Sequence, residues 1–156
     1  MDEKKTLTFD ETKEKALRLL EFRSHSEKEL SEKLLRAGAE RDDLPDVLTF
    51  LREYGLVNDQ DYAKRLAKDL ANLKKYGKFR IRAELKNKGI CAEYIEDAMA
   101  ELADFKPDTL LPLVKKRLKG DFERNNIEKI MRYFTYRGYS YTDIQACIDK
   151  LQAETE

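Results

Sequence analysis

The sequence predicts an all-α protein made of three tandem three-helix repeats, on three observations. Leu, Ala, Glu, Lys and Arg are abundant in a chain of 156 residues with only six glycines and three prolines. That composition favours helices and leaves little turn material for hairpins. Three stretches, 26–51, 77–102 and 126–151, align without gaps. Within them the apolar residues return at helical spacing, which marks a repeat rather than a single fold.

Each stretch reads as two helices about a glycine. Before the glycine, Leu30, Ile81 and Ile130 share one register, and Leu34, Leu85 and Phe134 the next. After it, Leu44, Ile95 and Ile144 match, then Leu48, Met99 and Ile148, then Leu51, Leu102 and Leu151. These positions draw an apolar stripe on a 3.6-residue period. Gly38, Gly89 and Gly138 follow the first helix, where a left-handed cap needs no Cβ. The next residue (Ala39, Ile90, Tyr139) suits packing across the turn. Ser26 with Glu29 and Ser140 with Asp143 have capping-box spacing or a close relative of it, and Pro45 sits early in its helix, where a missing N–H costs little.

A further helix precedes each stretch, over 10–22, 59–73 and 108–118, each beginning near an Asp or Thr able to cap it. The repeats are therefore 10–57, 58–106 and 107–153. The connections at 55–58 and 106–107 are too short, and too poor in Ser and Gly, for flexible linkers, so an elongated, curved array is expected. Residues 1–9 are charged and aperiodic, and fraying is expected there.

Composition excludes several classes. No apolar run approaches the roughly 18 residues of a membrane span, and the charged residues 1–10 lack a signal-peptide core. Cys91 and Cys147 are far apart and form no CxxC, which suits a reduced, cytoplasmic protein. Cys147 aligns with Val47 and Ala98, as a core thiol would. His25 is the one histidine, so a His-rich zinc site is excluded and a Ser-His-Asp triad has a single candidate base. Between Ser24 and Ser26, it is expected to be an exposed loop residue. The segment 76–78 has one glycine and is no phosphate loop. No enzyme activity, cofactor or metal is expected.

Thirty-one basic residues balance thirty-one acidic ones. That zero conceals an uneven distribution. Residues 64–88 hold ten basic side chains against Asp69 and Glu84, and Lys115, Lys116, Arg117 and Lys119 form a second cluster. Acids gather at Asp42, Asp43 and Asp46, and at Glu93, Glu96, Asp97 and Glu101. The two helices about each glycine resemble a DNA-binding helix-turn-helix in layout, whose second helix enters the major groove. Here that second helix is acidic in the first two repeats, and phosphates repel it. Base readout is therefore disfavoured.

The basic residues Lys74, Lys75, Lys78, Arg80, Arg82, Lys86 and Lys88, with Lys115, Lys116 and Arg117, suit contact with a phosphate backbone or an acidic protein groove. An ordinary solvated surface competes with this reading, since Glu84 and Lys88 stand i,i+4 in the favourable order. Tyr133, Phe134, Tyr136, Tyr139 and Tyr141, interleaved with Arg132 and Arg137, could stack on unpaired bases. Phe134 falls in the core register. Tyr136 and Tyr141 fall outside it.

The segments RSHSEKELSEKL at 23–34, GLVNDQDYA at 55–63, YGKFRIRAELKNKGI at 76–90 and RYFTYRGYSYTDIQ at 132–145 resemble the RecX family of regulatory proteins. The resemblance implies three tandem three-helix repeats and a non-enzymatic modulator of the RecA recombinase. Such a protein would bind the RecA filament on DNA along its groove and restrain strand exchange, ATP hydrolysis and the coprotease role in DNA repair and the SOS response. It also implies weak, phosphate-dominated binding of single- or double-stranded DNA, and a monomer with no membrane association is expected. One departure is Asn58-Asp59, where the family commonly has two consecutive acids. The competing readings are a sequence-nonspecific DNA-binding protein and a helical-repeat adaptor for another partner.

Overall fold

The computed structural model describes residues 6–105 and 109–156. Among them are nine α-helices: α1 (Phe9–Phe22), α2 (Glu27–Ala37), α3 (Leu44–Glu53), α4 (Asp59–Asn72), α5 (Lys78–Asn87), α6 (Ala92–Phe105), α7 (Leu110–Leu118), α8 (Arg124–Tyr136) and α9 (Tyr141–Thr155). A single 3-10 turn, Arg41–Asp43, leads into α3. The expected helices 10–22 and 59–73 are α1 and α4. Of the expected 108–118, residue 108 lies outside the described residues, as does the 106–107 connection.

The same residues end the first helix of each aligned stretch in the same way. Gly38, Gly89 and Gly138 all have left-handed φ, at 109°, 80° and 103°. The following amide donates to the carbonyl five residues back each time: Ala39 to Leu34 at 2.9 Å, Ile90 to Leu85 at 3.2 Å and Tyr139 to Phe134 at 3.0 Å. This is the Schellman closure, which satisfies carbonyls that the helix end leaves free. At the helix starts, Ser26 and Glu29 form a full capping box, and Ser140 accepts from the Asp143 amide. Asn58 accepts from the Asp61 amide at 3.1 Å, so the departure at Asn58-Asp59 leaves α4 with a side-chain cap.

The chain divides into two compact units. Unit 1 runs through Arg65 and takes in Leu85–Asp97. Unit 2 holds Leu66–Glu84 and the chain from Ala98 onward. Unit 1 packs Leu30, Leu34, Leu44, Val47 and Leu51 with Ala16, Ala39 and Val57. Unit 2 packs Ile130, Phe134, Ile144, Ile148 and Leu151 with Val114, Leu118 and Met131, and Cys147 is partly buried against that core. These are the registers read from the sequence with one exception: Leu48 is only partly buried, and Val47 beside it takes the core position. Tyr136 and Tyr141 are exposed, as their register implies.

Each unit contains one copy of the same joint, in which a helix start meets the glycine turn of the next repeat. In unit 1, Ser26 Oγ donates to the Lys88 carbonyl at 2.6 Å, and Gly89 lies so close to Lys28 that a Cβ would meet its side chain at 2.4 Å. In unit 2 the aligned residue is Gly77. Its amide donates to the Arg137 carbonyl at 2.8 Å, and the Phe79 amide donates to the Gly138 carbonyl at 3.1 Å. The turn of the first repeat is met by the segment before α1. There the Leu7 amide donates to the Gly38 carbonyl at 2.9 Å. Thr8 caps α1 with a full capping box. Of the segment expected to fray, residues 7–9 are thus tied down, and 1–5 lie outside the described residues.

Around the joint of unit 1, Glu29 accepts from Tyr62 Oη at 2.7 Å, Arg23 Nη2 at 3.0 Å, the Ser26 amide at 3.2 Å and Lys88 Nζ at 3.2 Å. Next to it, Asp59 accepts from the Glu27 amide at 3.0 Å, and burial raises its pKa. Ser26→Ala removes both the cap and the bond to the Lys88 carbonyl, so it should cost about 2 kcal/mol. Ser140→Ala removes only a cap and should cost about 1 kcal/mol. Urea denaturation of the two variants measures the difference.

His25 overturns one expectation. It is 2% exposed, not a loop residue in solvent. Its Nδ1 lies 2.9 Å from the Arg23 carbonyl and its Nε2 lies 2.7 Å from Lys33 Nζ. A neutral ring that donates through Nδ1 and accepts through Nε2 satisfies both. Burial lowers its pKa accordingly, and the positive charge of Arg23 acts in the same direction. The Ser-His-Ser context read as polar surface because the Lys33 partner lies eight residues away.

Candidate functional site

The residues proposed from sequence for binding separate into those already engaged and those gathered in a groove. The engaged ones come mostly from the basic stretch 64–88. Arg80 Nε pairs with Glu84 at 2.9 Å, and its Nη1 donates to the Tyr136 carbonyl at 3.3 Å. Lys88 pairs with Glu29 at 3.2 Å. Arg65 pairs with Asp61 at 3.2 Å and Lys68 with Glu101 at 2.7 Å. Arg82 is half-buried and also has a partner. Lys78 is exposed and stands 5.7 Å from the Phe79 ring centroid. Lys86 is exposed at the end of α5. The charge density read from the sequence is thus partly cancelled by ion pairs.

The gathered residues form a groove of about 770 Å³ in unit 2. Lys75, Lys116, Arg117, Lys119, Lys129, Arg132 and Arg137 line it, over Leu113, Ile130, Tyr133, Phe134 and Asn126. No carboxylate is among these lining residues. Helical spacing produces the arrangement. Lys129, Arg132 and Tyr133 fall on one face of α8 at i, i+3 and i+4, and Arg137 caps its C-terminus. Lys116 and Arg117 come from the last turn of α7, where cations also offset the helix dipole. Of the remaining sequence candidates, Lys74 contributes its carbonyl, and Lys115 lines a separate recess with Leu118 and Glu154.

Three arginines and three tyrosines alternate in a series that begins at the groove, where Arg117, Tyr133 and Arg137 line it. Arg117 lies 3.5 Å from the Tyr133 ring centroid, and Arg137 lies 5.5 Å from the same ring. Arg137 is also 5.1 Å from the Tyr76 ring, which Arg80 approaches at 4.7 Å. Arg80 stands 4.9 Å from the Tyr136 ring. Stacking of guanidinium on ring fixes each plane while leaving donor edges available in it. Of the tyrosines expected to receive bases, Tyr133 and Tyr136 thus hold arginines. The loop carrying Lys75 is pinned from the other side, where Arg137 Nη2 donates to the Lys74 carbonyl and Tyr139 Oη donates to the Lys75 carbonyl at 2.8 Å.

Lys75 and Lys119 have φ of 58° and 53°, and they are the non-glycine residues with positive φ among the described residues. Such a conformation is uncommon for a lysine and costs about 1 kcal/mol or more. Both stand on this groove. Lys129 escaped the sequence reading because it stands outside the aromatic run, although its i+3 spacing to Arg132 was available as a signal. Tyr76 escaped although Arg80 stands four residues on, because Arg137, which ties it to the groove, comes from another repeat.

Two family models match the chain: RecX, first three-helix domain, over residues 13–51, and RecX, second three-helix domain, over residues 58–99. A relative called regulatory protein RecX, from Clostridioides difficile, is 37% identical over 145 residues, spanning 89% of this chain and 67% of the relative. The RecX protein of Vibrio parahaemolyticus is 35% identical, over 85% of this chain and 86% of that protein. The chain belongs to the RecX family. The crystal structure of RecX from Lactobacillus salivarius superposes with a TM-score of 0.74 at 27% identity, covering 93% of this chain and 97% of that one. The all-α fold of three-helix repeats is therefore that of RecX, and the protein is a RecX-type regulator. No helix among the described residues is long and apolar enough to cross a membrane.

Proposed function

We propose that this RecX-type regulator binds the RecA filament on DNA as a monomer in the cytoplasm and restrains its strand exchange, ATP hydrolysis and coprotease activity. The reading is carried by membership of the RecX family. The geometry that supports it is the carboxylate-free groove of unit 2, which meets phosphates or an acidic protein surface without reading sequence. Acidic side chains on α3 and α6 argue against a recognition helix in the major groove. We also propose the repeat division 10–57, 58–106 and 107–153, since the two joints fall between successive repeats of that division.

The contact set is Lys75, Lys116, Arg117, Lys129 and Arg132, with Lys74, Lys78 and Lys86 as further exposed cations. Arg80, Arg137, Tyr136 and Lys88 act as framework. The test is ATP hydrolysis by RecA on single-stranded DNA. Added protein should suppress the rate. Lys116→Glu combined with Lys129→Glu and Arg132→Glu should weaken suppression at least tenfold, and the wild-type effect should fade as salt rises. No change in hydrolysis at excess protein would sink the reading.

A further inference from the structure

Four observations on the groove of unit 2 converge on a ligand smaller than a filament or a duplex. Its volume of about 770 Å³ lies within the roughly 300–1,000 Å³ of small-molecule sites. A duplex or a filament surface can only lie across its mouth, so what fills it is smaller. Seven cations line it with no carboxylate among the lining residues, and none of the seven has a salt-bridge partner among the described residues. Like charges held together in this way repel, so the arrangement is costly when empty and favourable when an anion neutralises it. Arg117 and Arg137 both stand against the Tyr133 ring, at 3.5 and 5.5 Å; Arg137 is committed to the Lys74 carbonyl, and the fork of Arg117 is the one held ready for bidentate contact with phosphate oxygens. Lys75 and Lys119, the two lysines in left-handed conformation, both face this one space. Strain concentrated in that way is a mark of a ligand site.

We infer that the groove binds a small polyphosphate, a chain of three or more linked phosphates. Its multiple negative charges match a cluster that a monophosphate would leave mostly unneutralised. The fork on Arg117 suits the tetrahedral oxygens, Arg137 adds its charge from the Tyr133 side, and the lysines act as point charges along the chain. Two sources share this chemistry, a nucleoside triphosphate and inorganic triphosphate. The outer face of Arg117 could stack on a purine in the first case. The inference needs no action on RecA, so it can fail or hold independently of the proposed function.

The test is calorimetric titration of the isolated full chain, in low salt without magnesium, with ATP, ADP, AMP and inorganic triphosphate. Saturable binding of one equivalent is expected, with triphosphates at least tenfold tighter than AMP. Tighter binding of ATP than of inorganic triphosphate assigns the nucleotide as source, and the reverse assigns the inorganic chain. Lys116→Glu with Lys129→Glu should weaken binding at least tenfold. Both side chains are exposed on helices, so the fold should persist, and unchanged helical circular dichroism checks it. Lys150→Glu, on α9 outside the groove lining, should bind as wild type. Absence of saturable triphosphate binding at millimolar ligand would overturn the inference. So would equal binding by the double variant, equal affinity for AMP, or displacement of ATP by a glutamate-rich peptide of the same charge.

Discussion

Gly138→Ala is expected to lower the stability of the chain by about 4 kcal/mol, against about 1 kcal/mol for Gly55→Ala. Both glycines have positive φ, 103° and 68°, so both alanines carry backbone strain. The difference is steric. A Cβ on Gly55 meets nothing within 4 Å, whereas a Cβ on Gly138 would stand 2.4 Å from both the Cβ and the amide nitrogen of Arg80, and 2.7 Å from the Gly77 carbonyl oxygen. Those neighbours are the start of α5, which is itself held by the Phe79 amide on the Gly138 carbonyl. Relief requires that joint to open. Gly77→Ala should behave like Gly138→Ala, because its Cβ would stand 2.4 Å from the Gly138 oxygen. Urea unfolding monitored by circular dichroism reads the three values. Equal costs for Gly55 and Gly138 would show that backbone strain alone decides, and would remove the joint from the account.

Glu29→Ala is expected to cost about 3 kcal/mol at neutral pH, with Glu29→Gln about 2 kcal/mol. The glutamate side chain is 12% exposed and accepts four hydrogen bonds, two of them from cations. Burial opposes its ionisation, but the bonds from Tyr62, Arg23, the Ser26 amide and Lys88 outweigh burial and hold its pKa at about 2, below the ordinary 4.5. The folded value is the lower one, so the unfolded chain takes up the proton first. The stabilisation is complete above about pH 4.5 and disappears as pH falls toward about 2. Denaturant midpoints measured from pH 7 to pH 2 should therefore fall steeply in wild type and less steeply in Glu29→Gln. Parallel acid limbs would refute the role assigned to this carboxylate. Tyr62 shifts in the opposite sense, since burial and its bond to Glu29 both favour the neutral phenol.

The repeat was legible in the sequence because its signals are local. Gly38, Gly89 and Gly138 mark helix ends through their own φ, and Ser26 and Glu29 sit three residues apart in one capping box. Leu30, Leu34, Ile130 and Phe134 lie where their stripe requires. The groove was half legible. Lys75, Lys116, Arg117, Arg132 and Arg137 were named from charge, whereas the density at 64–88 also counts cations that the fold pairs with acids. Salt bridges such as Arg80 with Glu84 and Lys88 with Glu29 absorb part of it. Contacts between repeats carry no local signature, so the Arg137–Tyr76 stack and the Gly77–Gly138 approach came only with the fold. Charge counts locate cations in the chain, whereas which of them meets an acid is decided partly by neighbours on the same helix, as for Arg80 with Glu84, and partly by distant residues, as for Lys88 with Glu29.

The joint also bears on the order in which the chain assembles. Ser26 and Lys88 are 62 positions apart, and Arg137 and Lys74 are 63 apart. Closing loops of that length carries an entropic cost that helical hairpins within a repeat avoid. The hairpins therefore form early and the joints close late. Interactions made after the folding barrier slow the escape from the native state without hastening its formation. The two joints thus act as latches on unfolding, and they govern how long a folded molecule lasts more than how quickly a new one appears.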